Sequence, residues 1–233
     1  MARDKLSQEH LSEFMQFLIS CKQNDCDRLP ALTDLSRQLG ISVASLREQL
    51  EVARALGLVE VRPRTGIRRL PYTFKPAVQQ SLAYAIAIDP ANFQAFADIR
   101  KHIEAAYWYQ SVSRLTPEDH QYLREMVQRA KEKLTGNSIQ IPHWEHRELH
   151  LSIYRRINNP FVTGMLESYW DMYEAAGLDV YTDLHYLVKV WQYHEKMVDC
   201  ISAGDFEAGH RALTEHMDLL VQRQKPTSHH RFE

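Results

Sequence analysis

The chain has little cysteine, little glycine and no long hydrophobic run. Its three cysteines, Cys21, Cys26 and Cys200, form no CxxC pair, which argues against a disulfide framework or a cysteine zinc site and indicates reduced packing residues. Eight glycines leave little room for a phosphate-cradling loop, and P-loop, G-x-G-x-x-G and G-x-S-x-G motifs are absent from the sequence. No apolar run approaches the roughly 18 residues of a membrane span, so we expect no membrane partner.

An excess of charge of one sign is also lacking. The net charge is −2; residues 1–70 hold 11 Lys+Arg and 9 Asp+Glu (+2), and the remainder holds 17 and 21 (−4). This asymmetry is too small to identify a nucleic-acid partner. The first residues, MARDKLSQEHLSEF, are charged at once and lack the apolar stretch of a signal peptide, so we expect a cytoplasmic protein. The length allows one large domain or a small domain joined to a medium one.

Three helices are predicted before residue 58. The first rests on apolar residues at helical spacing, and the second, in DRLPALTDLSRQLG, ends at Gly40. The third opens with Ser42 as its N-cap and ends at Gly57. Its predicted buried face consists of Leu46, Leu50 and Ala53. The residues predicted to face outward include Ser45, Arg47 and Gln49.

Two short β-prone runs, LVEV and IRRL, follow the third helix and are joined by a basic turn. Three helices followed by a two-stranded wing are typical of DNA-binding domains, although such folds also serve protein contacts. The third helix would enter the major groove by its N-terminal end, and the wing would contact the backbone or the minor groove. The predicted DNA-contacting residues are Arg28, Ser42, Ser45, Arg47, Arg62, Arg64, Arg68 and Arg69.

This segment resembles the winged helix of the GntR superfamily of bacterial regulators. The residues that match its pattern are Leu29-Pro30, Leu35-Ser36, Leu39-Gly40, Ile41-Ser42, Leu46-Arg47-Glu48 and Gly57-Leu58. The resemblance implies a double-stranded DNA operator as partner and a homodimer that reads a pseudo-palindrome. The family commonly has arginine where this chain has Val43, so the operator sequence cannot be inferred from the family.

Beyond the wing, PYTFKP is predicted to be a linker and the rest of the chain to be helical. We expect a mainly α protein: a winged helix-turn-helix domain at 1–71, a linker at 72–77, an all-α domain at 78–226 and a tail at 227–233. The predicted helical runs are 76–88, 91–111, 117–135, 142–157, 160–174, 181–203 and 206–226.

Four histidines are predicted to meet inside the helical domain. In HWEHRELH, His146 and His150 are four residues apart and share a helix face, with His143 nearer the N-terminus as a surface or supporting residue. His194 and His216 flank the turn at Gly204-Asp205 and lie at similar distances from it, roughly 15–17 Å along each helix. The four imidazoles therefore form a candidate metal site.

This constellation resembles the FCD domain, the all-helical effector domain of the FadR subfamily of GntR regulators, which often holds a metal. Its D-x-x-F-H pattern is matched by His146 to His150, with histidine in place of aspartate and Leu149 in place of phenylalanine. A histidine in place of the carboxylate favours zinc, with nickel possible, over manganese or magnesium. The resemblance also implies a small effector, an organic acid, bound at the metal site with Arg100 pairing its carboxylate; an ion pair with Glu104 at i+4 is the alternative role of Arg100. Tyr107 is a further effector-binding candidate, with a core position as its alternative.

An enzyme is the competing class. HRELH differs from the H-E-x-x-H helix of zinc proteases because Glu148 stands two places after the first histidine and would point to another face. We therefore expect a non-enzymatic, metal-containing transcription regulator, and a metal-dependent hydrolase built on the helical bundle is the alternative.

Overall fold

In the computed structural model of the chain, the described residues are 10–23, 28–64, 66–136, 138–175 and 183–223. These ranges contain ten helices and one two-stranded sheet, which confirms the predicted mainly α fold. The chain clusters into two compact units that divide between Ser81 and Leu82. Within the described ranges, no helix combines the length and the apolar character that crossing a membrane requires.

The first unit is built from three helices and a hairpin. Its elements are α1 (Glu13–Gln23), α2 (Leu32–Leu39), α3 (Val43–Ala55), β1 (Val59–Arg62) and β2 (Gly66–Arg69). The strands are antiparallel, with Val59 opposite Arg69 and Arg62 opposite Gly66. The predicted strands were each offset from these by one residue, yet a bond from the Leu70 N–H to the Leu58 carbonyl (2.9 Å) keeps both predicted runs within the hairpin.

Local signals set the ends of the first unit's helices. Gly40 follows α2 in the left-handed region (φ 70°), where a glycine has no steric penalty. Ser42 caps α3, since its side chain accepts from the Ser45 N–H at 3.1 Å. One face of each helix then packs into a single apolar core. Its members include Phe14, Leu18, Leu29, Leu35, Leu46, Leu50, Ala53, Val59 and Ile67.

Seven helices form the rest of the described chain: α4 (Lys75–Ile88), α5 (Ala91–Val112), α6 (Pro117–Thr135), α7 (His143–Tyr154), α8 (Pro160–Ala175), α9 (Leu184–Ala203) and α10 (Phe206–Arg223). α4 begins inside the segment 72–77 that was predicted to be a linker. Pro76 does not prevent this, because a proline in the first helical turn removes an N–H that would have no intrahelical partner.

The predicted helix ends were close to those observed, with two differences. α7 ends at Tyr154, three residues before the predicted end, where the Ile157 N–H turns back to the Tyr154 carbonyl at 3.1 Å. α9 begins at Leu184 because Asp183 caps it, accepting from the His185 N–H at 3.0 Å. Residues 181–182 and 224–226 of the predicted helices, together with Cys26, lie outside the described residues; Cys21 and Cys200 are free thiols.

The hairpin of α9 and α10 is packed closely against α5. Gly204 ends α9 in the left-handed region (φ 76°), and Asp205 caps α10 by accepting from the Ala208 N–H at 3.0 Å. Trp108 on α5 is fully buried, and its indole N–H donates to the Phe206 carbonyl at 2.7 Å. A Cβ added at Gly209 would lie 2.7 Å from the Trp108 ring, so this position requires glycine. These contacts hold α10 at the depth that brings its histidine into the core.

Candidate functional site

Four histidines converge in the interior of the second unit, as the spacing predicted. His146 and His150 lie one turn apart on α7, while His194 comes from α9 and His216 from α10. Each offers one ring nitrogen, and these four atoms all lie within 4.8 Å of one another. Nε2 of His194 is 3.2 Å from Nε2 of His150 and 3.2 Å from Nε2 of His216. We call these four residues the histidine cluster.

The protonation of the histidine cluster suits a metal. Three of its side chains have no exposed area and His146 has only 9%. Burial holds the pKa of His146, His194 and His216 well below the usual imidazole value. Burial also lowers the pKa of His150, although Glu104 opposes this shift. The imidazoles are therefore neutral near pH 7, which is the form that coordinates metals.

The hydrogen bonding of the histidine cluster also fits a metal ion. Nε2 of His146 is buried and has no hydrogen-bond partner among the described groups. An unsatisfied buried nitrogen costs free energy, and a cation among the four nitrogens would satisfy it. Zinc accepts histidine nitrogen as a ligand in proteins.

A buried ion pair on α5 supports one member of the cluster. Oε2 of Glu104 is 2.9 Å from Nδ1 of His150, and Oε1 accepts from Nε of Arg100 at 2.6 Å. Burial alone would raise the pKa of Glu104, but Arg100 and His150 outweigh it and hold that pKa at about 2. The ionised carboxylate accepts the Nδ1–H of His150, so Nε2 carries the lone pair that faces the cluster.

Aromatic rings enclose the guanidinium and the first histidine. The guanidinium carbon of Arg100 lies 4.5 Å from the Tyr169 ring centre and 4.7 Å from that of Trp170, both on α8. Trp170 also meets the His146 ring edge-on at 4.7 Å between centres. Arg100 keeps 3% of its area exposed, and burial of its charge is offset mainly by Glu104, which raises its pKa above the ordinary value.

The sequence predicted some of these neighbours and missed others. Of the two roles considered for Arg100, the ion pair with Glu104 is observed, and the guanidinium also lies 3.1 Å from Nδ1 of His150; the effector-binding role stays a prediction. Tyr107 is half-buried against the core, and its hydroxyl accepts from the Asn159 side chain at 3.3 Å. Nothing in the sequence pattern identified Tyr169 or Trp170, since their positions depend on how α8 packs.

The remaining residues of HWEHRELH lie around the cluster. His143 is half-buried at the start of α7, and Trp144 is exposed. Glu148, which would have to act as general base in a protease-like site, pairs with Arg147 at 3.0 Å and accepts from Tyr122 at 3.4 Å. Its carboxylate is therefore held away from the histidines, as the spacing predicted.

The predicted DNA-contacting residues of α3 lie at the N-terminal end of that helix. Ser42 and Arg47 are exposed, and Ser45 is half-buried beside the cap. The Ser42 oxygen already accepts the capping bond, which leaves its O–H free to donate. Gln49, which was also predicted to face outward, instead bonds to α1: it accepts from the Phe14 N–H at 2.9 Å and donates to Glu13 at 2.7 Å.

The wing arginines form a second exposed group. Arg62, Arg64 and Arg68 are exposed and Arg69 is half-buried. Arg62 pairs with Glu60 at 2.9 Å, which partly offsets its charge. Arg64 occupies the left-handed region (φ 68°) at the turn, a conformation that only a minority of non-glycine residues adopt. The exposed Arg28 joins this group because its backbone forms an antiparallel bridge with that of Arg68.

The family model described as the FCD domain matches residues 95–219, more than half of the chain. The chain belongs to the FCD domain family. The matched segment contains Arg100, Glu104 and the whole histidine cluster.

Relatives extend the likeness over most of the chain. It is 25% identical over 205 residues to the "Putative L-lactate dehydrogenase operon regulatory protein" of Escherichia coli K12, covering 85% of this chain and 78% of that protein. It is 24% identical over 219 residues to the "Uncharacterized HTH-type transcriptional regulator YcbG" of Bacillus subtilis 168, covering 94% of this chain and 89% of that protein. The expected resemblance to FCD-domain regulators of the GntR superfamily is confirmed.

A solved structure shares the fold. Streptococcus agalactiae GntR aligns with a TM-score of 0.68 at 14% sequence identity, covering 91% of this chain and 98% of that chain. At this identity the likeness concerns the arrangement of helices and strands alone. It agrees with a winged helix-turn-helix followed by an FCD domain.

Proposed function

We propose that the chain is a cytoplasmic, non-enzymatic, DNA-binding transcription regulator of the FadR subfamily, whose FCD domain binds a divalent transition metal. The observation that carries the proposal is the histidine cluster, four buried nitrogen donors within 4.8 Å of one another. Membership of the FCD family and the regulator names of the relatives support the regulatory role. The hydrolase alternative is disfavoured because the carboxylate of Glu148 is paired with Arg147 and Tyr122.

Zinc is the first candidate for the metal, with nickel second. Neutral imidazoles are borderline donors that zinc, nickel and copper bind better than magnesium or manganese do. The bound ion would be a cation coordinated by side chains from three helices, which it would thereby link. The chain's own residues would hold it: the histidine cluster would provide the donors, and Glu104, 2.9 Å from Nδ1 of His150, would orient that ring.

DNA is the proposed macromolecular partner, read by a homodimer. The exposed N-terminal end of α3, with Ser42 and Arg47, would enter the major groove. The arginines of the wing and Arg28 would contact phosphates or the minor groove. A two-fold dimer presents two such helices at matched spacing, as a pseudo-palindromic operator requires.

The ligand that controls DNA binding has two candidates. The first is a small organic acid, which the family resemblance suggests and for which Arg100 and Tyr107 would be the contacts. The name of the Escherichia coli relative makes lactate a reasonable first acid to test. The second is the metal ion itself.

The proposal is tested by metal content and DNA selection on the purified full-length protein. We expect bound zinc or nickel, and specific fragments recovered from a random DNA library. The substitutions His146→Ala, His150→Ala, His194→Ala and His216→Ala should each reduce metal retention and melting temperature together, because an ion bound by the folded state stabilises it. His143→Ala is the matched control and should retain the metal.

Two results would contradict the proposal. Metal retained after loss of His150, His194 or His216 would show that the histidine cluster is not the site. Failure to enrich any DNA sequence would remove the regulatory role. Loss of metal in every histidine-cluster variant except His146→Ala would indicate a three-histidine site.

A further inference from the structure

The N-terminal end of α3 carries two apolar side chains. The helix begins with Val43 and Ala44, directly after its cap at Ser42. Val43 is half-buried and Ala44 is exposed. The described core of the first unit takes other residues of this helix, among them Leu46 and Leu50, and neither of these two. We call Val43 and Ala44 the apolar tip of α3.

The folding of α3 does not account for the apolar tip. The first turn is closed by Ser42, whose hydroxyl oxygen accepts from the Ser45 N–H at 3.1 Å and whose carbonyl accepts from the Leu46 N–H at 2.9 Å. A β-branched valine is less favourable in a helix than alanine or leucine, because its χ1 rotation is restricted there. The methyl groups of the apolar tip thus form neither the cap nor the described core, and they are placed for a contact outside the chain.

Arg47 lies one turn beyond Val43 on the same side of the helix. Residues four apart share a helix face, and Arg47 is exposed. Arg37 on α2 and Arg54 on α3 each pair with a carboxylate of their own helix, at 3.4 and 3.0 Å, whereas no ion pair of the described chain includes Arg47. The Arg47 guanidinium therefore places an uncompensated positive charge beside the apolar tip.

These two kinds of side chain recognise different base edges. In the major groove, thymine is the base that presents a methyl group, whereas guanine presents the acceptors O6 and N7, which a guanidinium can bind together. An aliphatic side chain neither donates nor accepts, so it would leave the polar edge of another base dehydrated without a partner. An apolar contact therefore favours thymine, and Arg47 favours guanine.

We propose that the apolar tip selects thymine in each half-site through the thymine methyl group, and that Arg47 selects a guanine within about two base pairs of it. This inference rests on the proposed function, because it presumes that α3 enters the major groove. A helix rises about 1.5 Å per residue, so Val43 and Arg47 are about 6 Å apart along the axis, close to two base-pair steps of about 3.4 Å. The two contacts together specify a short word of sequence rather than a single base.

The first experiment alters the DNA and leaves the protein unchanged. A fragment is selected from a random library with the full-length protein, and each thymine in turn is replaced by deoxyuridine, which pairs in the same way but lacks the methyl group. We expect affinity to fall about fourfold at one or more thymines of each half-site, the effect of one buried methyl-sized group. Replacing a guanine within about two base pairs by deazaguanine, which lacks the N7 acceptor, should weaken binding about tenfold.

Variants then assign the two contacts to side chains. Val43→Ser or Ala44→Ser should bind the thymine and uracil fragments with affinities within about twofold of each other, because the apolar partner of the methyl is gone. Val52→Ser is the matched control: Val52 lies at the other end of α3 and is 52% exposed, so the wild-type preference for thymine should remain. Arg47→Ala should keep the response to uracil and lose the response to deazaguanine.

The outcomes separate the inference from the proposed function. If a selected fragment binds but no uracil substitution weakens binding by more than about twofold, the inference is wrong and the DNA-binding regulator stands. A wild-type response to uracil in both Val43→Ser and Ala44→Ser would show that another part of the protein contacts the methyl group, which also overturns the inference. If no DNA sequence is enriched at all, the proposed function fails and the inference fails with it.

Discussion

Acidification should destabilise the metal-free FCD domain steeply, because its histidines are buried in the neutral form. Burial holds the pKa of His146, His194 and His216 below the imidazole value in the folded state. In the unfolded chain these three rings take up protons near pH 6.5, whereas in the folded chain they do not. The unfolded state thus binds more protons below pH 6.5, and the free energy of unfolding falls as the pH falls.

The size of this effect follows from the number of buried rings. A histidine that protonates only on unfolding lowers the free energy of unfolding by about 1.4 kcal/mol between pH 7.5 and 5.5. Three such rings give about 4 kcal/mol, a large part of the roughly 5–15 kcal/mol typical of a domain. His150 adds less, because Glu104 opposes the shift of its pKa. Glu104 itself contributes no change in this window, since its folded pKa is about 2.

Tryptophan fluorescence during urea unfolding is the appropriate assay. The four tryptophans, at positions 108, 144, 170 and 191, all belong to the second unit, so the signal reports on the FCD domain. Metal-stripped protein is unfolded at pH 7.5, 6.5 and 5.5, and the free energy is extrapolated to zero urea. His194→Leu should reduce the pH-dependent loss to about 3 kcal/mol, because one of the three rings is gone.

An exposed histidine provides the control. His102 has 74% of its side chain exposed, so His102→Gln removes no buried ring and serves as the matched control for His194→Leu. A loss below about 1 kcal/mol between pH 7.5 and 5.5 in the wild-type protein would refute the reasoning, because it would mean that protons reach the cluster in the folded state. An equal loss in His194→Leu would exclude that ring as a source.

Three further predictions concern DNA, packing and assembly. Arg47→Ala should weaken operator binding, and the double variant Arg64→Ala, Arg68→Ala should weaken it and also reduce the slope of log affinity against log salt concentration by about 2, as two phosphate contacts require. Titrations at several salt concentrations check this, and unchanged affinity in both variants would exclude the winged helix as the element that reads DNA. Gly209→Ala places a methyl 2.7 Å from the Trp108 ring and should destabilise the FCD domain by about 1–3 kcal/mol in the fluorescence assay. A variant as stable as the wild type would mean that α5 and α10 can move apart without loss of stability. Sedimentation should show a dimer at micromolar concentration with a two-fold symmetric DNA footprint, and a monomer both on and off DNA would contradict the pairing of half-sites.

Features that depend on local backbone chemistry were predictable from the sequence. Gly40 and Gly204 mark helix ends because glycine adopts the left-handed conformation at little cost, and Ser42 begins α3 because its oxygen caps the helix. The i, i+4 spacing of His146 and His150 requires a shared helix face. The cluster could thus be anticipated from helical periodicity and from the equal distances of the other two histidines from one turn.

Contacts between helices distant in sequence were decided only by the tertiary structure. The bond between Glu104 and His150 spans 46 residues, and the ring of Trp170 reaches both His146 and Arg100 from another helix. Periodicity shows which face of a helix is buried but not which residue of the next helix it meets. That pairing depends on the crossing angle and depth of each helix, which the volumes of many core side chains set together. For this reason the sequence identified the four histidines of the candidate metal site, whereas the carboxylate that pairs with Arg100 became visible only in the folded chain.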